Sequence, residues 1–325
     1  LFYKNLKKFI YCLLFLAPVL SLAQADDEIR SFLQFNGNYD FTAIGGTMNT
    51  EENGCFVLTE SSATFTLEPN QSIVSAHLYW SGSGSINFGS AYPSDQAVTL
   101  NGIEVRPTPE FNGEAFGATS GQRDYFSYYA NVSEIVTVDG TYTLSDFDIT
   151  DNIQGSPGGG PYCNTTTDFA GWSIIIIYED LSLALNQISL FHGLEIVRGP
   201  ANQNNLEILL EGVDVESEEL AKIGFLAWEG DVNIAEDESL RINGELMFND
   251  QNPSDNAFNG TNSYTGANDF YNMDLDVYDL EGVVVPGDTE IQISLTSGQD
   301  LVLINNIVTS VNSELPDATI IFDPV

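Results

Sequence analysis

The sequence predicts an all-β protein of two tandem, related sandwich or jelly-roll units. Two stretches read alike: AHLYWSGSGS leading to AVTLNGIEV, and IGFLAWEGDV leading to SLRINGELM. Each is an apolar strand ending in tryptophan (Trp80, Trp228), a Gly-rich or acidic loop, then a strand closing on an Asn-Gly turn (Asn101-Gly102, Asn243-Gly244). GTYTLSDF from Gly140 and GDTEIQISL from Gly287 continue the echo at near-equal distances from their tryptophans. Most remaining periodic segments are short, rich in β-branched and aromatic residues, and bounded by Gly, Asn, Asp or Pro, as strands are. Helical periodicity is lacking: VESEELAKIG offers a turn or two at most, with Ser217 as a cap.

Residues 1–25 read as a cleaved signal peptide. Lys4, Lys7 and Lys8 precede the apolar run FIYCLLFLAPVLSLA, and Ser21-Leu22-Ala23 or Ala23-Gln24-Ala25 supplies small residues for cleavage. That run is about 15 residues, short of the ~20 that span a bilayer. The expected strands then follow: YDFTAIG, CFVLTE, SATFTLE, IVSAHLYW, DYFSYYANVSEIV, TYTLSDFDI, GWSIIIIYED, NQISLFHGLEIV, NNLEILLEGVDV, DLDVYDLEGVVV, EIQISLTSG and DLVLINNIVTSV. In IVSAHLYW, Val74, Ala76, Leu78 and Trp80 share one face while Ser75, His77 and Tyr79 share the other, so a half-buried strand is expected. Ile174 to Ile177 are apolar on both faces and predict a central, doubly covered strand. Trp80, Trp172 and Trp228 are expected as core anchors. The Asn-rich stretch Gly199 to Asn205 suggests a junction, dividing the chain into residues 26–200 and 201–325.

The formal net charge is −38, and removing the three leader lysines leaves 6 basic residues against 47 acidic ones, or about −41. Nucleic acid and anionic membrane are excluded as partners, because both require basic patches to replace counterions. The acidity suits solubility in a salty medium, divalent-cation binding or a cationic partner. With Cys12 in the leader, Cys55 and Cys163 remain, and a single disulfide is the economical reading in an oxidising compartment, two free thiols being the alternative.

Carboxylates are the only chemistry-bearing residues in quantity. Asp146, Asp148 and Asp151 in DFDITDN, and Asp250, Asp255 and Asp269 around the second long loop, form candidate calcium groups, since calcium takes 6 to 8 oxygen ligands from such loops. Glu229 and Asp231 precede Glu236, Asp237 and Glu238 in a further acidic run. None of these groups matches the EF-hand spacing. No motif requires a cofactor, and calcium is the one ion the composition suits. The two histidines, His77 and His192, are expected to be structural, and neither a GxSxG elbow nor a phosphate loop is present. Two long loops, residues 155–168 and 249–272, are expected to carry binding, with Tyr162, Asn164, Asp168, Asn256, Asn259 and Tyr264 as contacts.

The order AHLYWSG, VTLNG, YYANVSEIV, GTYTLSDF, AGWSIIIIYED, LNQISLFHGLEIV, FLAWEGD, LRINGEL and NPSDNAFNGT resembles the N-terminal region of large secreted bacterial adhesin-like surface proteins, of the gliding-motility-associated, type IX-secreted kind with conserved surface repeats. The resemblance spans roughly residues 35 to 312. It implies a secreted, non-enzymatic cell-surface module that binds a glycan or protein ligand, with no catalytic residue to carry over. Such proteins continue into further β-repeats, so the start at Leu1 and the end at IIFDPV suggest an abbreviated reading frame. A carbohydrate-binding or carbohydrate-active jelly roll is the first alternative, favoured if Tyr125, Tyr128 and Tyr129 lie exposed on one flat face. A structural matrix or filament subunit is the second, favoured by open strand edges.

Overall fold

Two Asn-Gly pairs set the geometry of both halves. Asn101 and Gly102 have φ of 48° and 79°, and Asn243 and Gly244 have φ of 50° and 85°, the left-handed pair that a two-residue hairpin turn requires. Each asparagine then clasps a neighbouring strand: Asn101 Oδ1 accepts the Thr143 N–H at 2.8 Å, and Asn243 Oδ1 accepts the Gln292 N–H at 2.9 Å.

The computed structural model describes residues 27–52, 54, 56–84, 97–108, 112–119, 121–154, 168–199, 204–235, 237–314 and 318–322. The leader, Cys55, Cys163, Tyr162 and Asn164 lie outside them, and with them the disulfide reading. The first half runs β1 (Asp27–Gly37), β2 (Tyr39–Thr47), β3 (Glu60–Phe65), β4 (Gln71–Ser83), β5 (Val98–Leu100), β6 (Ile103–Val105), β7 (Asn112–Thr119), β8 (Gly121–Asn131), β9 (Gly140–Ser145), the short helix α1 (Thr150–Gln154) and β10 (Ala170–Asp180). The second runs β11 (Asn186–Arg198), β12 (Asn205–Glu211), β13 (Ser217–Trp228), β14 (Ser239–Ile242), β15 (Glu245–Leu246), β16 (Met273–Asp279), β17 (Glu290–Thr296), β18 (Leu301–Asn312) and β19 (Ala318–Ile321). The fold is all-β, and every pairing between these strands is antiparallel.

Four sheets form. The outer ones have the orders β3-β9-β5-β6 and β12-β17-β14-β15; the inner ones are β2-β10-β4-β8-β7 and β16-β13-β18-β11-β1-β19. Taken in chain order, β2 to β6 and β8 to β10 occupy the same places as β11 to β18, so the two halves repeat one strand order. Three apolar cores separate four layers. Trp80, Trp172, Ile174 and Ile176 fill the sandwich of the first half; Phe225, Ile293, Ile304 and Phe258 fill that of the second. The third core, with Tyr79, Ile175, Ile177, Trp228, Leu226 and Val308, lies between the two inner sheets.

This stacking corrects several expectations. The face of β4 carrying Ser75, His77 and Tyr79 is buried rather than solvated, because the second inner sheet covers it. Its polar atoms pair with each other: Ser75 Oγ with His77 Nε2 and His77 Nδ1 with the Tyr129 hydroxyl, both at 2.9 Å, and the Tyr79 hydroxyl with His192 Nδ1 at 3.3 Å. Burial holds both imidazoles down to about 3, His192 being lowered further by His77, so both are neutral. Tyr125, Tyr128 and Tyr129 are core residues, and no flat aromatic face is built from them.

The sheets also do not divide at residue 200. β1 and β11, both earlier in the chain, pair with each other, and β11 pairs with β18 of the second half. VESEELAKIG is strand, not helix: Ser217 opens β13, and Leu220 at φ 59° marks the irregularity between Ser217 and Lys222. Of CFVLTE, the described residues give an isolated bridge, Val57 to Asn49, and Glu60, which opens β3. Trp80 and Trp228 echo each other in sequence yet face different cores, the first inside its sandwich and the second between the inner sheets.

All three tryptophans are fully buried. Truncation of Trp80 to alanine should therefore cost ~3–5 kcal/mol in a denaturant melt; a loss below about 1 kcal/mol, the scale of a surface substitution, would contradict its placement.

Candidate functional site

β16 carries the sequence Met273-Asp-Leu-Asp-Val-Tyr-Asp279, and its alternation sends Met273 and Leu275 into the inter-sheet core. Tyr278 lies on the opposite face, in the second sandwich core, and Asp274 and Asp276 share that face. Inward charge on a sheet edge is tolerable only if other groups satisfy it. Residues 249–272 do so. Asp274 Oδ1 accepts the backbone N–H groups of Asn259, Gly260 and Thr261 at 2.8, 2.9 and 3.1 Å. Asp276 Oδ1 accepts the Ser263 hydroxyl at 2.6 Å and its N–H at 3.2 Å. Asn252 receives the Thr261 hydroxyl at 2.8 Å and donates to the Tyr278 hydroxyl at 2.9 Å. Ala257 and Phe258 plug the second core.

The loop expected to be exposed is thus largely built into the sandwich. Asn256 and Asn259 are buried, and the Tyr264 hydroxyl packs against Gly224, where an added Cβ would come within 2.8 Å of it. Exposed residues remain at its margins, among them Asp250, Ser254, Asp255, Thr265, Asn268 and Asp269.

A second group of acids meets beside Asp274. β13 ends at Trp228, and the next residue, Glu229, takes φ 75° and donates its N–H to the Asn272 carbonyl at 2.8 Å. Asp231 N–H donates to Asp300 Oδ2 at 3.2 Å, and Leu301 N–H donates to Asp300 Oδ1 at 2.7 Å. Glu229, Asp231 and Asp300 are 1%, 3% and 2% exposed, and each offers a carboxylate oxygen within 4.8 Å of the other two. Glu238 lies against Asp300 and accepts the Phe258 N–H at 2.7 Å. Asp274 Oδ2 faces Gly230, where any Cβ would come within 2.3 Å of it.

The first half closes this nest. Glu52 accepts the Val232 N–H and the Asn233 amide, both at 2.9 Å, while the buried Asp168 acts on Asp231 through its charge. Asn49, two residues beyond β2, donates its side-chain amide to the Asp168 carbonyl at 3.0 Å. Arg198 stands opposite Leu301, one residue on from Asp300.

Crowded burial raises the carboxyls. Asp231 is pushed up to about 7 by burial, then by Glu52 and Asp168; Glu238, Asp274 and Asp300 are raised by burial and then by acidic neighbours. Asp276 is raised to about 6 by burial, against the opposing pull of its hydrogen bonds. An all-oxygen set of this kind suits a hard cation; as an acid–base pair it would need a route to substrate, and these side chains are sealed.

The acids singled out from sequence lie elsewhere. Asp146 and Asp148 are exposed, engaged with Thr99 and the Thr150 N–H, and Asp151 sits on α1. Among the described residues, Asp146 and Asp148, or Asp250, Asp255 and Asp269, are not assembled into a joint group within ligand distance of one another. Of the predicted contacts, Asp168 and Asn256 border the nest. Among the acids of the run 229–238, Glu229, Asp231 and Glu238 come together, joined by Asp300 from far along the chain.

No family model matches the chain, and no curated protein does. Among solved structures, it is similar to a β-porphyranase of glycoside hydrolase family 86 from the human gut bacterium Bacteroides plebeius, with 11% identity and a TM-score of 0.27 over 90% of this chain and 37% of that one. It is also similar to BuGH86 in complex with neoagarooctaose, in two structures at 10% identity and TM-scores of 0.26, covering 88% and 90% of this chain and 34% and 35% of theirs. The chain spans about a third of these proteins, and likenesses this slight carry no argument about its chemistry.

A group whose native value stands above its unfolded one binds more protons folded than unfolded, so its stabilising share is complete below about pH 4 and is lost as the pH rises through the native value. Wild type should therefore lose stability relative to Asp276→Asn as the pH rises from 4 through 6 in metal-free buffer. Denaturant midpoints across that range check this, and a gap that moves the other way contradicts it.

Proposed function

We propose that this chain is a secreted, non-enzymatic module of an adhesin-like bacterial surface protein, presenting polar loop margins on a rigid β frame to a glycan or protein ligand. The observation that carries this reading is the pinned loop 249–272: its middle is bonded into the second sandwich, while Asp250, Ser254, Asp255, Thr265, Asn268 and Asp269 remain turned to solvent. Loops held this way lose little conformational entropy on binding. The sealed position of the clustered carboxylates argues against these side chains as a glycosidase pair, which must reach a bond from two sides. The acidic balance supports a partner other than nucleic acid or anionic lipid. The burial of Tyr125, Tyr128 and Tyr129 removes the exposed aromatic face that would have favoured the carbohydrate alternative.

Fluorescent protein applied to glycan and protein arrays and to whole cells should bind saturably. Combined Asp250→Asn, Asp255→Asn and Asp269→Asn should reduce that binding at least about tenfold while leaving the melting temperature within a degree or two. Release of reducing sugar from any polysaccharide, or binding untouched by the triple change, would contradict the reading.

A further inference from the structure

We infer that the nest of Glu229, Asp231 and Asp300 is a calcium site that clasps the two halves of the fold. The three carboxylates gather oxygens within 4.8 Å of one another, which fits a shell of Ca–O bonds whose opposite oxygens stand about 4.6–5.2 Å apart. Magnesium demands a near-ideal octahedron and keeps several of its waters, which a sealed nest does not favour. The donors are all oxygen, which disfavours zinc and copper.

A second observation points to a ligand independently of the acid count. Asn256, 2% exposed, donates its Nδ2 to the carbonyls of Asp231 and Val232 at 3.1 and 3.3 Å, which anchors its amide on the nest; its Oδ1 is buried and has no hydrogen-bond partner among the described residues. Asp274 Oδ2, against Gly230, is likewise buried without such a partner among the described residues. A neutral amide oxygen and a carboxylate oxygen buried beside the nest without donors are the kinds of oxygen that a calcium shell of 6 to 8 ligands uses. Leaving such oxygens without any partner is destabilising, because their desolvation is then uncompensated.

The position gives the ion a role. Glu229, Asp231 and Asp300 come from the second half, whereas Glu52 and Asp168, from the first, lie close enough to hold Val232 or to act on Asp231. An ion there neutralises repulsion across the junction. This goes beyond the surface-binding reading and stands whether or not a ligand is found.

Thermal melts of the purified protein with calcium, with chelator, and with magnesium at equal ionic strength test the site. Calcium should raise the melting temperature by several degrees over chelator, since a ligand of the native state alone stabilises it by mass action, and magnesium should do far less. Asp300→Asn and Asp231→Asn should each abolish the response, whereas Asp250→Asn should keep it. As a readout that needs no variant, terbium added to wild type should give luminescence sensitised by Trp228, next to Glu229, and calcium should displace it. No calcium shift together with no terbium emission would overturn the site. A calcium shift retained in both nest variants would overturn its location, and an equal magnesium response would overturn the choice of ion.

Discussion

The burial of one inner sheet against the other is the constraint on which the rest of this fold depends. Each half could close a sandwich by itself, with an outer sheet over one face of an inner sheet. Stacking the inner sheets leaves both faces of β4, β10, β13 and β18 without solvent, and the side chains between them must match in shape and in hydrogen bonding. The isoleucines of β10 meet this by being apolar on both sides. β4 meets it with Ser75, His77 and Tyr79, whose polar atoms close on Tyr129 and His192. Near one end, Lys222 reaches across the halves to the Asp40 carboxylate at 2.8 Å and lies over the Phe41 ring.

The carboxylates follow from the same constraint. At the other end of the interface, Phe169 stacks on Trp228 with ring centroids 5.4 Å apart, and Thr47 donates to the Tyr271 carbonyl at 2.9 Å. The chain leaves β13 there, and Glu229 and Asp231 turn into a volume already closed by Asp168, Asp274 and Asp300. Repulsion among acids in low dielectric is severe unless protons or a cation offset it. Asp276 is a milder case, because Ser263 supplies it with two donors, and the backbone of residues 259–261 does the same for one oxygen of Asp274. Those donors also explain why so polar a loop is built in.

Local signals carried much of the fold. The Asn-Gly pairs specify hairpins because few other residues tolerate two successive positive φ values, and Ile174 to Ile177 announce a doubly covered strand. The repeated strand order was legible as an echo, although the tryptophans that drew attention to it face different cores. What escaped was whatever depends on a partner sheet. Alternation in IVSAHLYW reports polarity, and a polar face reads the same under water or under another sheet with matching donors. DLDVYD likewise looks like an ordinary strand with acids toward solvent. Composition marks the loop at 199–205, while the strand order turns over between β10 and β11. Asp300 has no neighbouring signal, so only the fold could bring it to Glu229 and Asp231.

If the inner-sheet interface governs stability, the two halves should unfold together. Native-state hydrogen exchange resolved on β10 and β18 measures this directly, because each strand is central to its own half. Ile174–Ile177 and Ile307–Val308 should exchange only through global unfolding, with one common free energy and one common denaturant dependence. A lower free energy for either strand would mean that its half opens alone and that the interface does not bind the fold into one unit.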